Sequence, residues 1–169
     1  MTAYCVTNLG NTSGGTVLGI NAGLYEIKID RVDYFYLVPG GGYAAQFNPM
    51  YRSSVPLTGG TATPIAPLRA ASPPASATAM CGASMVHSGG VKNYVAQIYI
   101  TGAGAAVATN SGSSPYPESS GGSTSFSFPS DLTISPGGSF EVDNLYGPLN
   151  GFTTAATVYF EELRLSQSY

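Results

Sequence analysis

Between Leu132 and Val142 the chain reads Leu-Thr-Ile-Ser-Pro-Gly-Gly-Ser-Phe-Glu-Val, two short alternating runs around a Pro-Gly-Gly turn. Period-two alternation puts Leu132 and Ile134 on one face of a strand, and Phe140 and Val142 on one face of the next. A third run, Thr157-Val-Tyr-Phe-Glu-Glu-Leu-Arg-Leu165, follows after a brief loop. Elsewhere no window sets apolar residues at helical spacing without a Gly, a Pro or a β-branched cluster interrupting it. These patterns restrict the chain to antiparallel β structure, and the turn itself carries no catalytic group.

Other strands follow from the same reading. In Tyr25-Glu-Ile-Lys-Ile-Asp-Arg-Val-Asp-Tyr-Phe-Tyr-Leu-Val38 the apolar phase moves from Ile27 and Ile29 to Val32, Tyr34 and Tyr36, which predicts a bulge or bend at Asp30-Arg31. Gly40-Gly-Gly42 turns into a strand over Tyr43–Tyr51, interrupted near Pro49. The stretch Ser53–Ser76, rich in Pro, Ala, Thr and Gly, is too proline-dense for a central strand. It is expected as a long ordered connection anchored by Leu57, Ile65 and Leu68, with a short strand at Thr63–Leu68. Val91–Thr101 is a strand with Tyr94, Ala96, Ile98 and Ile100 on one face. Asn110–Ser123 is a low-complexity loop exposing Tyr116 between two prolines, and Phe126 and Phe128 lead into the next strand. The last run is expected to change face across Glu161-Glu162, from Val158 and Phe160 to Leu163 and Leu165. About eight strands with long end loops and face-switching runs predict an all-β, antiparallel β-sandwich of jelly-roll type. Residues 1–24 are expected as a glycine-rich N-terminal arm that orders on binding, and residues 25–169 as the sandwich domain.

Charged residues make up only 9% of the 169-residue chain, with 6 Lys and Arg and a net charge of −3. So few scattered cations cannot build a phosphate-binding stripe, which argues against nucleic acid. No apolar run reaches the roughly 18 residues of a membrane helix, and Met1-Thr-Ala-Tyr opens no signal peptide, so a soluble product made in the cytoplasm is expected. Cys5 and Cys81 are read as small buried hydrophobes rather than a disulfide. A surface held in solution by hydroxyls and amides is desolvated at low cost, which biases the chain toward being covered by other protein.

Residues with catalytic or ligating chemistry are sparse. Gly102-Ala-Gly-Ala-Ala-Val107 begins like a dinucleotide fingerprint, but Val107 fills the third glycine position and Asn110-Ser-Gly stops any helix that would supply a dipole. His87, the single histidine, has no nucleophile-elbow serine in the sequence and reads as an exposed loop residue. One His with two distant Cys is too poor for zinc. Glu161 and Glu162 point to opposite faces of a strand and cannot pair as acid and base. Glu141 and Asp143 share a face, and Asp143-Asn144 at a strand end has calcium-type ligands, yet too few for six to eight oxygens. All four carboxylates are expected as solvated strand-face charges. No catalytic residue, metal or cofactor is expected. The 12 Tyr and 7 Phe, with no Trp, suit half-buried strands and interfaces more than a sugar platform.

From Tyr25 onward the chain resembles the small jelly-roll virion proteins of tailed bacteriophages. The likeness lies in the strand Tyr25–Asp33, the Pro/Ala connection Thr61–Ala79 running through Leu68-Arg69, the strand-turn-strand Leu132–Val142 and the closing Ala156–Glu162. It implies a capsid decoration, or cement, protein: a homotrimer on the outside of the head, bridging major capsid subunits without catalysis, assembled in the host cytoplasm. The same likeness admits a tail or fibre-tip component. A carbohydrate-binding sandwich presenting Tyr116 to a glycan is the other reading. Asn110–Ser123 and Leu9–Gly23 lie outside the shared pattern.

Overall fold

A computed structural model describes residues 2–11, 15–37, 46–82, 86–87, 89–101, 105–109, 121–144 and 153–164. Along the first half these form β1 (Thr2–Asn11), β2 (Gly15–Asn21), β3 (Ile27–Leu37), β4 (Gln46–Ser53), β5 (Leu57–Thr58), β6 (Thr61–Thr63) and β7 (Ile65–Pro67). Then come β8 (Thr78–Gly82), β9 (Val86–His87), β10 (Asn93–Thr101), β11 (Ala105–Thr109), β12 (Gly121–Ile134), β13 (Ser139–Asn144) and β14 (Thr153–Glu162). One sheet has the order β12-β3-β14-β1-β7, a second β11-β10-β4-β13-β2-β8-β6, and β5 with β9 makes a two-stranded ribbon. All described ladders are antiparallel. The protein is therefore all-β, two antiparallel sheets enclosing one core.

That core draws on both inner faces: Tyr4, Ile29, Val32, Val158 and Phe160 from the first sheet, and Leu18, Ile20, Met50, Ile98, Phe140 and Val142 from the second. Each of these side chains is at most 1% exposed, and each such burial stabilises the fold by about 1.5–3 kcal/mol. One polar pair sits among them. Tyr34 Oη donates to Asn48 Oδ1 at 2.6 Å, and Asn48 Nδ2 donates to the Ile98 carbonyl, so neither is left unpaired in the interior. Burial pushes the Tyr34 phenol well above its ordinary value, offset in part by a hydrogen bond with Thr154.

Consecutive strands cross between the sheets rather than pairing. β1, β3, β12 and β14 belong to the first sheet, while β2, β4 and β13 belong to the second; β10 and β11 form a hairpin within one sheet. The turn after Ile134 is accordingly a corner of the sandwich. Leu132 and Ile134 pair with Ile29 and Ile27 of β3, whereas Phe140 and Val142 pair with β2 and β4. Gly137 takes a φ of +80°, where a side chain is disfavoured. Its N–H donates to the Ala22 carbonyl and the Ala22 N–H donates to Gly138 O, so the corner is stitched to the chain beyond β2.

The bulge expected at Asp30-Arg31 is present. Across β3 and β14 the register steps from Arg31–Tyr159 to Ile29–Phe160, with Asp30 as the extra residue of the bulge. The extra residue lets Ile27 and Ile29 face the core on odd numbers and Val32 and Tyr34 on even ones. A bulge also corrects one expectation: between Tyr94 and Ala96 the β10–β4 register slips, and Tyr94 leaves the buried phase of Ala96 and Ile98 to stand 49% exposed.

The N-terminal residues are not a free arm. β1 lies between β14 and β7, and β2 lies between β13 and β8, so each is an inner strand of its sheet. Tyr4 and Val6 alternate toward the core, β2 is buried throughout Thr16–Ile20, and this apolar content outweighs the glycine around it. The connection after β4 behaves as its prolines require, contributing only short outer strands. β6 pairs with β8 at the rim of the second sheet, Pro64 follows, and β7 pairs with β1 at the rim of the first. One short segment thus closes that side of the sandwich, while β11 lies against β12 on the other. Leu57 is buried and Ile65 half-buried as anchors; Leu68 is not one, at 50% exposure. Pro49 sits inside β4 opposite Gln97, but the β4–β13 ladder stops at Met50, one residue short of it.

The corner admits no side chain at Gly138. A Cβ there would lie 2.8 Å from the Ser53 carbonyl oxygen and 3.0 Å from Ile134 Cγ2. Gly138→Ala is expected to destabilise the protein by about 1–3 kcal/mol, read from the urea unfolding midpoint with an unchanged m-value.

Candidate functional site

Among the described residues the fold presents two polar centres and one long exposed strap. The strap is residues 54–77, which run over the rim of the sandwich; from Thr58 to Ala71 every residue but Thr63 and Ile65 is exposed, and the side chains are Thr, Ala, Pro, Leu and a single Arg69. A strap of this composition has little apolar area with which to hold itself down. Its short strands β6 and β7 pair with the sheet rims, and its far end is fixed by a carboxylate.

Glu162 ends β14 at 0% exposure. It continues the even-numbered inward phase of Thr154, Ala156, Val158 and Phe160, so the strand does not change face before it ends; of the pair expected after a shift, Leu163 is half-buried beyond the strand and Leu165 lies outside the described residues. Glu162 Oε1 accepts from Ser76 N at 2.6 Å, Ser76 Oγ at 2.8 Å and Ala77 N at 2.9 Å. Its other oxygen accepts from Arg164 Nη2 at 2.7 Å and Nε at 3.1 Å. Arg164 Nη2 also reaches Tyr4 Oη and the Pro74 carbonyl, and Tyr4 Oη donates to the Pro73 carbonyl. Burial alone would raise the Glu162 pKa, but the Arg164 guanidinium and the Ser76 and Ala77 donors outweigh it and hold the carboxyl below its ordinary value. Between strap and sheet rim lies a groove of about 350 Å³ lined by Thr2, Ala3, Arg69, Ser72 and Glu161.

The second centre lies on the outer face of the second sheet. Glu141 and Asp143 share a face of β13, as expected, but they are not solvated charges: Glu141 is 1% exposed and the Asp143 side chain 14%. Lys92 Nζ pairs with Glu141 Oε1 and, at 2.8 Å, with Asp143 Oδ2, and it lies 5.0 Å from the centroid of the Tyr51 ring. Thr16 Oγ1 donates to Glu141 Oε2 at 3.4 Å. Burial and the neighbouring Glu141 charge raise the Asp143 pKa, while Lys92 works in the opposite direction. A lysine fills the place a cation would take, and among the described residues no group of three or more His, Cys, Asp and Glu is arranged to hold a metal. Asn144 is 2% exposed and its side-chain amide has no hydrogen-bond partner among the described residues.

The remaining sequence candidates stay apart. His87 lies in β9 opposite Leu57, in a strand rather than a loop, with its side chain outside the described residues. Of the fingerprint-like segment, Ala105–Val107 belongs to β11, a strand where a helix would be needed. Tyr116 lies outside the described residues. Cys5 and Cys81 are unpaired thiols, half-buried rather than fully buried, and Thr63 Oγ1 donates to Cys81 Sγ. The Glu162–Arg164 clamp was the element missed. Its trace in the sequence is a period-two run ending in Glu-Leu-Arg, which puts the two charges on one side of the chain two residues apart.

The chain matches no family model, no curated protein and no solved structure.

Two stability predictions follow from these centres. Glu162→Gln is expected to cost about 3 kcal/mol at neutral pH, because a buried ion pair loses one charge. A folded pKa below the ordinary 4.5 means that this stability is complete above pH 4.5 and is lost as pH falls through the folded value. The gap between wild type and Glu162→Gln in urea unfolding is therefore expected to close below that pH. Lys92→Met, which strands the buried Glu141, is expected to cost about 1–2 kcal/mol, less than a fully buried pair because the lysine is partly exposed. Thermal unfolding at neutral pH reads it.

Proposed function

We propose that this chain is a tailed-phage virion structural protein, a capsid decoration protein that binds the outside of the head and bridges major capsid subunits. In this reading the sandwich is of jelly-roll type with about eight principal strands, the protein acts as a homotrimer, and it works without catalysis or cofactor. It is assembled onto heads in the host cytoplasm and resides on the capsid surface.

The observation that carries the proposal is the strap: an exposed, nearly uncharged segment fixed to a rigid core by a buried ion pair. Such a surface loses little on desolvation and little conformational entropy on contact. The electrostatics agree. Among the described residues, Lys28, Arg31, Lys92 and Arg164, four of the chain's six cations, are already paired with carboxylates of the same chain. Their charges are met internally, so most of the contact with a partner rests on neutral area. A shell repeats each contact many times, and a modest interface then suffices.

Purified protein is expected to bind expanded, undecorated heads of the phage that encodes it and to raise their resistance to heat or low salt. Recovery with isolated tails, and none with heads, would turn the reading to a tail or fibre component.

A further inference from the structure

Arg52 and Arg69 are the cations left over. Neither has an ion pair among the described residues. Arg69 shares its groove with Glu161, so a counter-charge is already at hand. Arg52 is different. It opens onto a cleft of about 220 Å³ at the mouth of the sandwich, and no carboxylate lines it.

Both sheets build this cleft. Arg52, Ser54 and Asn93 come from the second sheet and its margin, and Thr133 and Ser135 from the end of β12 and the corner turn. Asn93 is the cross-strand partner of Arg52. The floor is rigid: Gly138 packs against the Ser53 carbonyl, its N–H donates to Ser135 O at 2.9 Å, and Ser139 Oγ donates to Val55 O at 2.8 Å. Among the described residues the side chains of Ser54, Asn93, Thr133 and Ser135 make no hydrogen bond, and they line the cleft together with the guanidinium. The strand end that carries Asn93 also carries Val91 and Tyr94, 74% and 49% exposed. A fork of guanidinium donors, neutral hydroxyls and an amide, with exposed apolar groups on the same strand end, is complementary to a carboxylate on an apolar protein surface.

We propose that this cleft is the polar anchor of the interface, receiving an acidic side chain of the partner subunit; the identity of that partner as the capsid rests on the decoration reading. Among the described residues Arg52 has no carboxylate partner, and a negative group from a partner would meet its guanidinium together with the neutral donors around it.

Two measurements test it. In binding to undecorated heads, Arg52→Ala is expected to weaken affinity at least about tenfold. Arg52→Lys, which keeps the charge and loses the fork, is expected to fall between the two. Matching melting temperatures are expected to show that both variants are folded. Wild-type and Arg52→Ala binding of equal strength would overturn the cleft and leave the decoration reading standing. Wild type that binds no heads would remove that reading and the capsid partner together. On the isolated protein, sodium acetate is expected to shift the Arg52 Nε–H resonance saturably. Absence of any shift overturns the cleft as a carboxylate site. An acetate shift with unaltered head binding by Arg52→Ala marks a free-anion site only and overturns the interface role.

Discussion

One buried carboxylate ties together parts of the chain that hydrophobic packing alone leaves separate. Glu162 sits where the last strand, the first strand and the strap converge, and it accepts five hydrogen bonds from Ser76, Ala77 and Arg164. A charge at that depth is tolerable only when every lone pair is answered, since an unpaired one costs several kcal/mol. The arrangement therefore works in one register: Arg164 two residues on, Tyr4 and the prolines 73 and 74 beside it, the backbone of Ser76 and Ala77 against the other oxygen. Shifting any of them leaves a charge unmet. The strap is laddered to the two sheet rims through β6 and β7, and its far end takes its position from this requirement.

The same logic runs through the second polar centre. Glu141 is held on the outside of a central strand because Lys92 reaches over it from the segment before β10. The β4–β13 ladder ends at Met50, beside Pro49, which has no N–H to donate, so the last residues of β13 pair with β2 alone. In both centres a carboxylate on a strand fixes a segment that enters from elsewhere in the chain. Internal pairing of this kind also leaves the surface electrically quiet, which is the property the proposed role uses.

Strand content and phase were largely legible. The alternation of Ile27 and Ile29 followed by Val32 and Tyr34 locates the Asp30 bulge, because the geometry of a pleated strand is written at period two and one extra residue is the cheapest way to keep both halves on the core. The density of prolines from Ser53 to Ser76 excluded a central strand for equally local reasons. The N-terminal segment was misjudged where glycine content was set above the apolar positions: glycines around Leu18 and Ile20 read as an arm, yet Tyr4 and Val6 in β1 and Val17, Leu18 and Ile20 in β2 are enough to seat inner strands. The carboxylates were misjudged because exposure of a charge depends on what folds over it, and Lys92 lies 51 residues from Asp143.

Local order thus declares itself in the residues: which stretches are strands, which faces are apolar, where the chain must turn. Pairing does not. Leu132–Ile134 and Phe140–Val142 look like neighbours in one sheet, and a turn of Pro and Gly is compatible with a hairpin or with a corner. Only the competing partners decide, since Ile27 and Ile29 claim the first run while β2 and β4 claim the second. Hydrogen-bond ladders are satisfied by any strand of the right phase, so their assignment belongs to the packed whole. The corner that results is also what brings Ser135 opposite Arg52 and opens the cleft between the sheets.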